Sequence, residues 1–218
     1  MCGDDAVLKL FPSTVRNSDG KLQSNIDMHY YTEKNIVFSG KGYEFADKFC
    51  FDGLSDLLKN ASENSVINEK LNREKSIIFM HLLSTDTSGH SFQDQLRTYE
   101  QYINKLDGKL EIAVNIINDF FHDNATSFIL TSDHGMSWYG AHGDMDPDNT
   151  MTPVVAWGSG FIKYSNKSNI LAKSTSTHRD NDIFLSGWDS LGDALRIDIN
   201  QADIAPLLAS LLSIPIPI

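Results

Sequence analysis

Asp86 and His90 stand four residues apart in Thr85-Asp86-Thr87-Ser88-Gly89-His90. Asp133 and His134 are neighbours in Thr131-Ser132-Asp133-His134-Gly135-Met136, and His142 follows in Gly140-Ala141-His142-Gly143. Carboxylate oxygen and imidazole nitrogen together suit a divalent ion of borderline hardness, Zn²⁺ first among them. One Asp-His pair in a loop is more often a hydrogen-bonded turn than a ligand set. Three such groups are harder to explain as turns, so the metal-site reading is preferred. Gly89, Gly135 and Gly143 are expected to let tight loops carry the ligands inward. Trp138 and Tyr139, between two of the groups, either line a substrate pocket or simply cover the site.

The positioning elements are legible around these residues. Ser76 to Leu83 is apolar, rich in β-formers and bounded by polar residues, which predicts a strand buried on both faces. Phe128 to Thr131 predicts a second buried strand and Thr152 to Trp157 a third. Leu96, Tyr99, Ile103, Leu106, Leu110, Ala113, Ile117 and Phe120 recur at steps of three and four, the signature of a helix packed on a sheet. Leu54, Leu57 and Leu58 predict another helix after Asp52, followed by one through Val66 and Leu71. A closing helix is expected over Ala202 to Leu212, with Ile204, Leu207, Leu208 and Leu211 inward. Ile36 to Phe38 is a short strand candidate, Met1 to Tyr31 reads as irregular, and 163–182 reads as a surface excursion. Strand, helix, strand in this order implies βαβ units and a mainly parallel sheet, whose ligands gather at the C-terminal strand ends. The metal-site residues fall there.

Bulk composition narrows the partners. The 218 residues suit one α/β domain, and 41% hydrophobic with 22% charged residues is an ordinary globular balance. The net charge of −11, with no run of Lys or Arg, argues against a nucleic-acid backbone as partner. Cys2 and Cys50 admit one disulfide or, equally, two free thiols. No apolar stretch spans a bilayer and no signal pattern opens the chain. The sequons at Asn60, Asn124 and Asn166 permit a secretory location without requiring one.

Asp-x-x-x-His, Ser-Asp-His-Gly-Met and Gly-x-His-Gly, in this order, resemble the alkaline phosphatase superfamily. Phe79-Met80-His81-Leu82-Leu83-Ser84-Thr85-Asp86-Thr87-Ser88-Gly89-His90 is similar, within it, to the GPI ethanolamine phosphate transferase 1 family. So are Thr131 to Met136, Thr152 to Gly158 and Asn200 to Leu207, together with Cys50-Phe51-Asp52 and the loop before Gly143. The likeness is good from Ile77 onward and loose before it. It implies a three-layer α/β/α fold with a mainly parallel central sheet, incomplete at its N-terminal side. Residues 1–218 would form a single partial catalytic domain, 1–75 loosely matched and 76–218 the metal-binding core. It implies two metal ions, most simply Zn²⁺: Asp86, His90 and His142 would hold one, and Asp133 and His134 would contribute to the other.

The same resemblance implies transfer of phosphoethanolamine from phosphatidylethanolamine to a mannose of the GPI precursor. The setting would be the endoplasmic reticulum membrane, with the domain lumenal and anchored by helices outside this chain. The family's nucleophilic Thr and one Asp ligand are expected upstream. Asp4 and Asp5 follow no predicted strand and Ser13-Thr14 opens no predicted helix, so neither role is carried onto them. The chain is therefore expected to be a fragment, inactive by itself. Competing readings are another phosphodiesterase, pyrophosphatase or phosphomutase of the superfamily, or a metal-binding module without catalysis. His81 reads as a satisfied core histidine, while His29, His122 and His178 read as solvated. Asp144, Asp146 and Asp148 read as a solvated acidic loop rather than a calcium site.

Overall fold

The computed structural model describes residues 1–4, 15–16, 22–23, 26–32, 34, 44–91, 96–161 and 198–216. The chain forms two compact units, Met1–Val155 and Ala156–Ile218. The expected strand at Ile36–Phe38 and the excursion over 163–182 lie outside the described residues.

Two helices make the main core of the first unit. Helix α1 spans Glu44–Glu63, and Ala46, Cys50, Leu54, Leu58 and Ala61 are buried at steps of three and four along it. It begins eight residues before Asp52, earlier than the leucines alone predict, because Phe45, Ala46, Phe49 and Cys50 extend the same apolar face. A short helix, α2 (Ser65–Leu71), follows, capped by the Asn64 side chain accepting from the amides of Val66 and Ile67. Further on, α3 is Ser84–Ser91 and α4 is Leu96–Phe121. Leu54 and Leu58 of α1 meet Ala113 and Ile117 of α4, with Phe51, Ile78, Phe120 and Phe128 packed around them. On α4 the predicted inward Ile103 is 43% exposed, and Tyr102 beside it is buried. Near its start the buried face is thus turned by one position from the apolar stripe.

The sheets are small. Strand β1 (Cys2–Asp4) pairs in parallel with β4 (His29–Tyr31), and β2 (Val15–Arg16) pairs antiparallel with β3 (Leu22–Gln23). Strands β5 (Ser127–Thr131) and β6 (Val154–Gly158) form a third two-stranded pairing. The stretch Met1 to Tyr31 is therefore not wholly irregular, and Asp4 does end a strand. Three-residue strands held by distant partners carry too little alternation to be visible in sequence.

Ser76 to Leu83 is a second correction. It is extended, but it joins a sheet only at a parallel bridge from Met80 to Cys2, with hydrogen bonds from Cys2 N to Phe79 O and from His81 N to Cys2 O. Its partner β1 is three residues long, so the ladder stops there, and Ile77 stays 59% exposed. Leu130, Val155 and Trp157 are likewise exposed on β5 and β6, since a two-stranded ladder cannot cover both faces. A disulfide joins Cys2 of β1 to Cys50 of α1, deciding between the two states the cysteines admitted.

In the second unit, a 3₁₀ turn at Gln201–Asp203 leads into helix α5, Ile204–Leu211. The Asp203 carboxylate accepts from the Asn200 amide, tying down the residue that caps the turn. Ala209 is the buried residue, and Leu211, expected inward, is 37% exposed.

Candidate metal centre

Asp86 and His90 lie on a helix, α3, rather than on a strand-end loop. Their spacing of four residues therefore places both on one helical face. His90 Nε2 is 3.5 Å from Asp86 Oδ1. The loops after β5 bring two more imidazoles to the same oxygen: His142 Nε2 at 3.2 Å and His134 Nε2 at 3.9 Å. The His134 and His142 rings stack with centroids 3.7 Å apart, and those of His90 and His142 are 5.0 Å apart. All five sequence-designated residues belong to the first unit.

Backbone carbonyls orient two of the rings. His90 Nδ1 is 2.7 Å from Gly140 O, and His134 Nδ1 is 2.9 Å from Gly135 O. A carbonyl only accepts, so Nδ1–H donates and, in the neutral imidazole, the Nε2 lone pair is left facing Asp86. Asp86 Oδ1 is sealed from solvent yet accepts no hydrogen bond. A buried carboxylate oxygen without a donor is costly, and the His90 and His134 nitrogens with free lone pairs add none. A divalent cation resolves that arrangement, because the oxygen and the nitrogens become its ligands. Asp86, His134 and His142 form one donor set, whose ligand atoms all lie within 4.8 Å of one another.

Asp133 sits apart. Its side chain is 75% exposed, with Oδ2 3.8 Å from His134 Nε2 and Oδ1 accepting from the His134 amide. The structure thus gathers Asp86, His90, His134 and His142 into one cluster, with Asp133 beside it.

The glycines act differently from the expectation. Gly89 is inside α3, where an added Cβ would sit 2.9 Å from Met136 Cε, so it permits helix-to-loop contact. At Gly135 a Cβ would fall 2.0 Å from the Asp148 carbonyl oxygen, so only glycine fits. Gly143 has φ +97° and open surroundings, a left-handed turn residue. Trp138 and Tyr139 occupy the tip of the Ser137–Gly140 turn, 70% and 42% exposed and edge to face at 5.6 Å. They lie between His134 and His142 in the chain. Asp144, Asp146 and Asp148 are not merely solvated. Asp144 accepts from the Asp146 amide and the Asn149 side chain, which hold its carboxyl below the usual carboxylate range, and Asp146 caps the short helix at Pro147–Thr150. His81 Nδ1 is buried without a partner, so it is not a satisfied core histidine. His29 is exposed but stacks on Phe49, ring centroids 4.1 Å apart.

Sequence reasoning missed Asp47. It is fully buried on α1, its Oδ1 accepting from Ser84 N at 3.0 Å and its Oδ2 from Tyr102 Oη at 2.9 Å. A signal existed: Asp47 shares the i, i+3, i+7 face with Cys50 and Leu54, where a carboxylate has no place unless it is bonded.

A family model described as type I phosphodiesterase / nucleotide pyrophosphatase matches residues 12–181. The chain belongs to this family. Among curated relatives, GPI ethanolamine phosphate transferase 1 of Homo sapiens is 36% identical over 96% of the chain, and that of Mus musculus is 40% identical over the same share. The Saccharomyces cerevisiae protein of that name is 36% identical over 91%. The chain spans about a fifth (21%) of the length of each. No solved structure matches it. Family membership agrees with an α/β fold and with a metal-binding cluster.

Proposed function

We propose that this chain is part of the catalytic domain of a metal-dependent phosphotransferase that moves phosphoethanolamine from phosphatidylethanolamine to a mannose of the GPI-anchor precursor. The observation that carries it is the donor-less Asp86 oxygen ringed by three imidazole nitrogens. The relatives named GPI ethanolamine phosphate transferase 1 supply the substrate class. Residues 1–218 are read as one part of that domain, with 76–218 its metal-binding core. The parallel β1–β4 pairing and the parallel Cys2–Met80 bridge support a mainly parallel central sheet.

Within this reading Asp86, His90 and His142 hold one Zn²⁺, and Asp133 with His134 contributes to a second. The bound ions would polarise the phosphoryl group and activate the attacking hydroxyl. The chain's own residues do the positioning. The carbonyls of Gly140 and Gly135 fix the His90 and His134 tautomers, the α3 backbone sets the Asp86–His90 spacing, and stacking holds His142 against His134. Trp138 and Tyr139, exposed in the loop between His134 and His142, are the candidates to meet substrate. The Cys2–Cys50 disulfide fits an oxidising compartment such as the lumen of the endoplasmic reticulum.

A chimera tests the proposal. This chain would replace the matched segment of the Saccharomyces cerevisiae relative in cells lacking that gene, with GPI-anchored protein at the surface as readout. Rescue by the native segment, lost with Asp86→Ala, is expected. Rescue that survives Asp86→Ala would remove the metal centre from the mechanism, and a stably expressed chimera without rescue would favour another reaction of the superfamily.

A further inference from the structure

Helix α3 carries Asp86 and His90, yet nothing in its own sequence explains why it is helical. Ser84-Thr85-Asp86-Thr87-Ser88-Gly89-His90-Ser91 contains no strong helix former, and eight such residues do not hold a helix in water. Its polar side chains even turn back on the backbone: Thr87 Oγ1 donates to Leu83 O, and Ser91 Oγ to Thr87 O. The register that sets Asp86 against His90 must be imposed from outside.

The fold supplies that constraint at the first residue. Asp47 on α1 accepts from the Ser84 amide, one of the donors a helix start leaves unpaired, and its charge favours the positive end of the helix. Tyr102 on α4 holds the other carboxylate oxygen. Burial, opposed by a hydrogen bond with Ser84 and reinforced by the Asp47 charge, keeps the Tyr102 phenol protonated and able to donate. Ser84 and Asp47 are both fully buried, so water offers the amide no substitute.

We propose that Asp47 is a positioning residue of the metal centre: it caps α3 from a neighbouring helix and thereby fixes the spacing of Asp86 and His90. The inference rests on the metal-site reading, and its test separates the two. Zn²⁺ affinity of the 218-residue chain is measured by titration for the native protein, Asp47→Ala, Asp47→Asn and Tyr102→Phe. Leu58→Ala serves as a control that weakens the α1–α4 core away from the centre. Amide hydrogen exchange over Thr85–Thr87 is read on the metal-free proteins. Asp47→Ala is expected to lose about tenfold to a hundredfold in affinity, the range for residues that orient ligands, and to speed exchange at α3. Asp47→Asn retains an acceptor for Ser84 and is expected to recover most of the affinity. Leu58→Ala lowers the melting temperature but leaves both readouts near native. Equal losses for Asp47→Ala and Leu58→Ala at matched stability would overturn the positioning role, as would native affinity in Asp47→Ala. If Asp47→Ala does not fold, Asp47→Asn and Tyr102→Phe decide: native exchange at α3 in Tyr102→Phe with no recovery in Asp47→Asn would contradict the cap. A native chain that binds no zinc would overturn the metal reading, while the exchange experiment still judges Asp47.

Discussion

Asp86 Oδ1 concentrates the chemistry into one atom. It is shielded from water, has no hydrogen-bond donor and faces three Nε2 atoms at 3.2 to 3.9 Å. Replacing Asp86 by Ala should abolish tight zinc binding, a loss of more than about a hundredfold, which exceeds the usual effect of an orienting residue. Calorimetric titration measures it directly. Because the imidazoles bind metal only when deprotonated, affinity should fall as the solution is acidified, and a buffer-dependent proton release should accompany binding. The four clustered residues and Asp133 beside them stand out in sequence because Asp and His recur in short, glycine-flanked strings. Their grouping was not: helix α3 lacks apolar periodicity, so the loop expected there hid the i, i+4 geometry. Asp47 escaped because its role is a contact between helices thirty-seven positions apart in sequence.

Elements with a long, regular apolar stripe were read almost to the residue, as α4 shows by ending at Phe121 where the pattern ends at Phe120. Short strands were not, since β1 and β4 owe their existence to each other and to Met80. The α1–α4 contact predicts its own test. Leu58→Ala should cost about 2–4 kcal/mol in denaturant unfolding, the range for emptying a buried leucine site. Gly135→Ala should cost about 1–3 kcal/mol by overpacking, because its Cβ would meet the Asp148 carbonyl. Gly143→Ala meets no neighbour and should cost only the strain of its positive φ, about 1 kcal/mol. A Gly135→Ala variant as stable as the native chain would mean that the loop after β5 does not sit against Asp148.

For the molecule as a whole, the Cys2–Cys50 disulfide closes a loop with a sequence separation of 48. Its reduction should lower stability by about 4 kcal/mol on a loop-entropy argument, measured as the difference between oxidised and reduced unfolding curves. The phenols add a pH dependence. Burial, aided by the charges of Asp4 and Asp47, raises the Tyr31 pKa, and burial likewise raises that of Tyr102. The folded chain keeps protons that the unfolded chain releases above about pH 10, so this contribution is intact below that pH and is lost as pH rises beyond it. Alkaline unfolding curves should flatten in Tyr102→Phe. The most direct measurement of the central claim is zinc content after the folded chain is stripped with EDTA and reconstituted, compared with His90→Ala/His142→Ala. The account predicts stoichiometric zinc in the native chain and its loss in the variant. A demonstrably folded native chain that retains no zinc would contradict it.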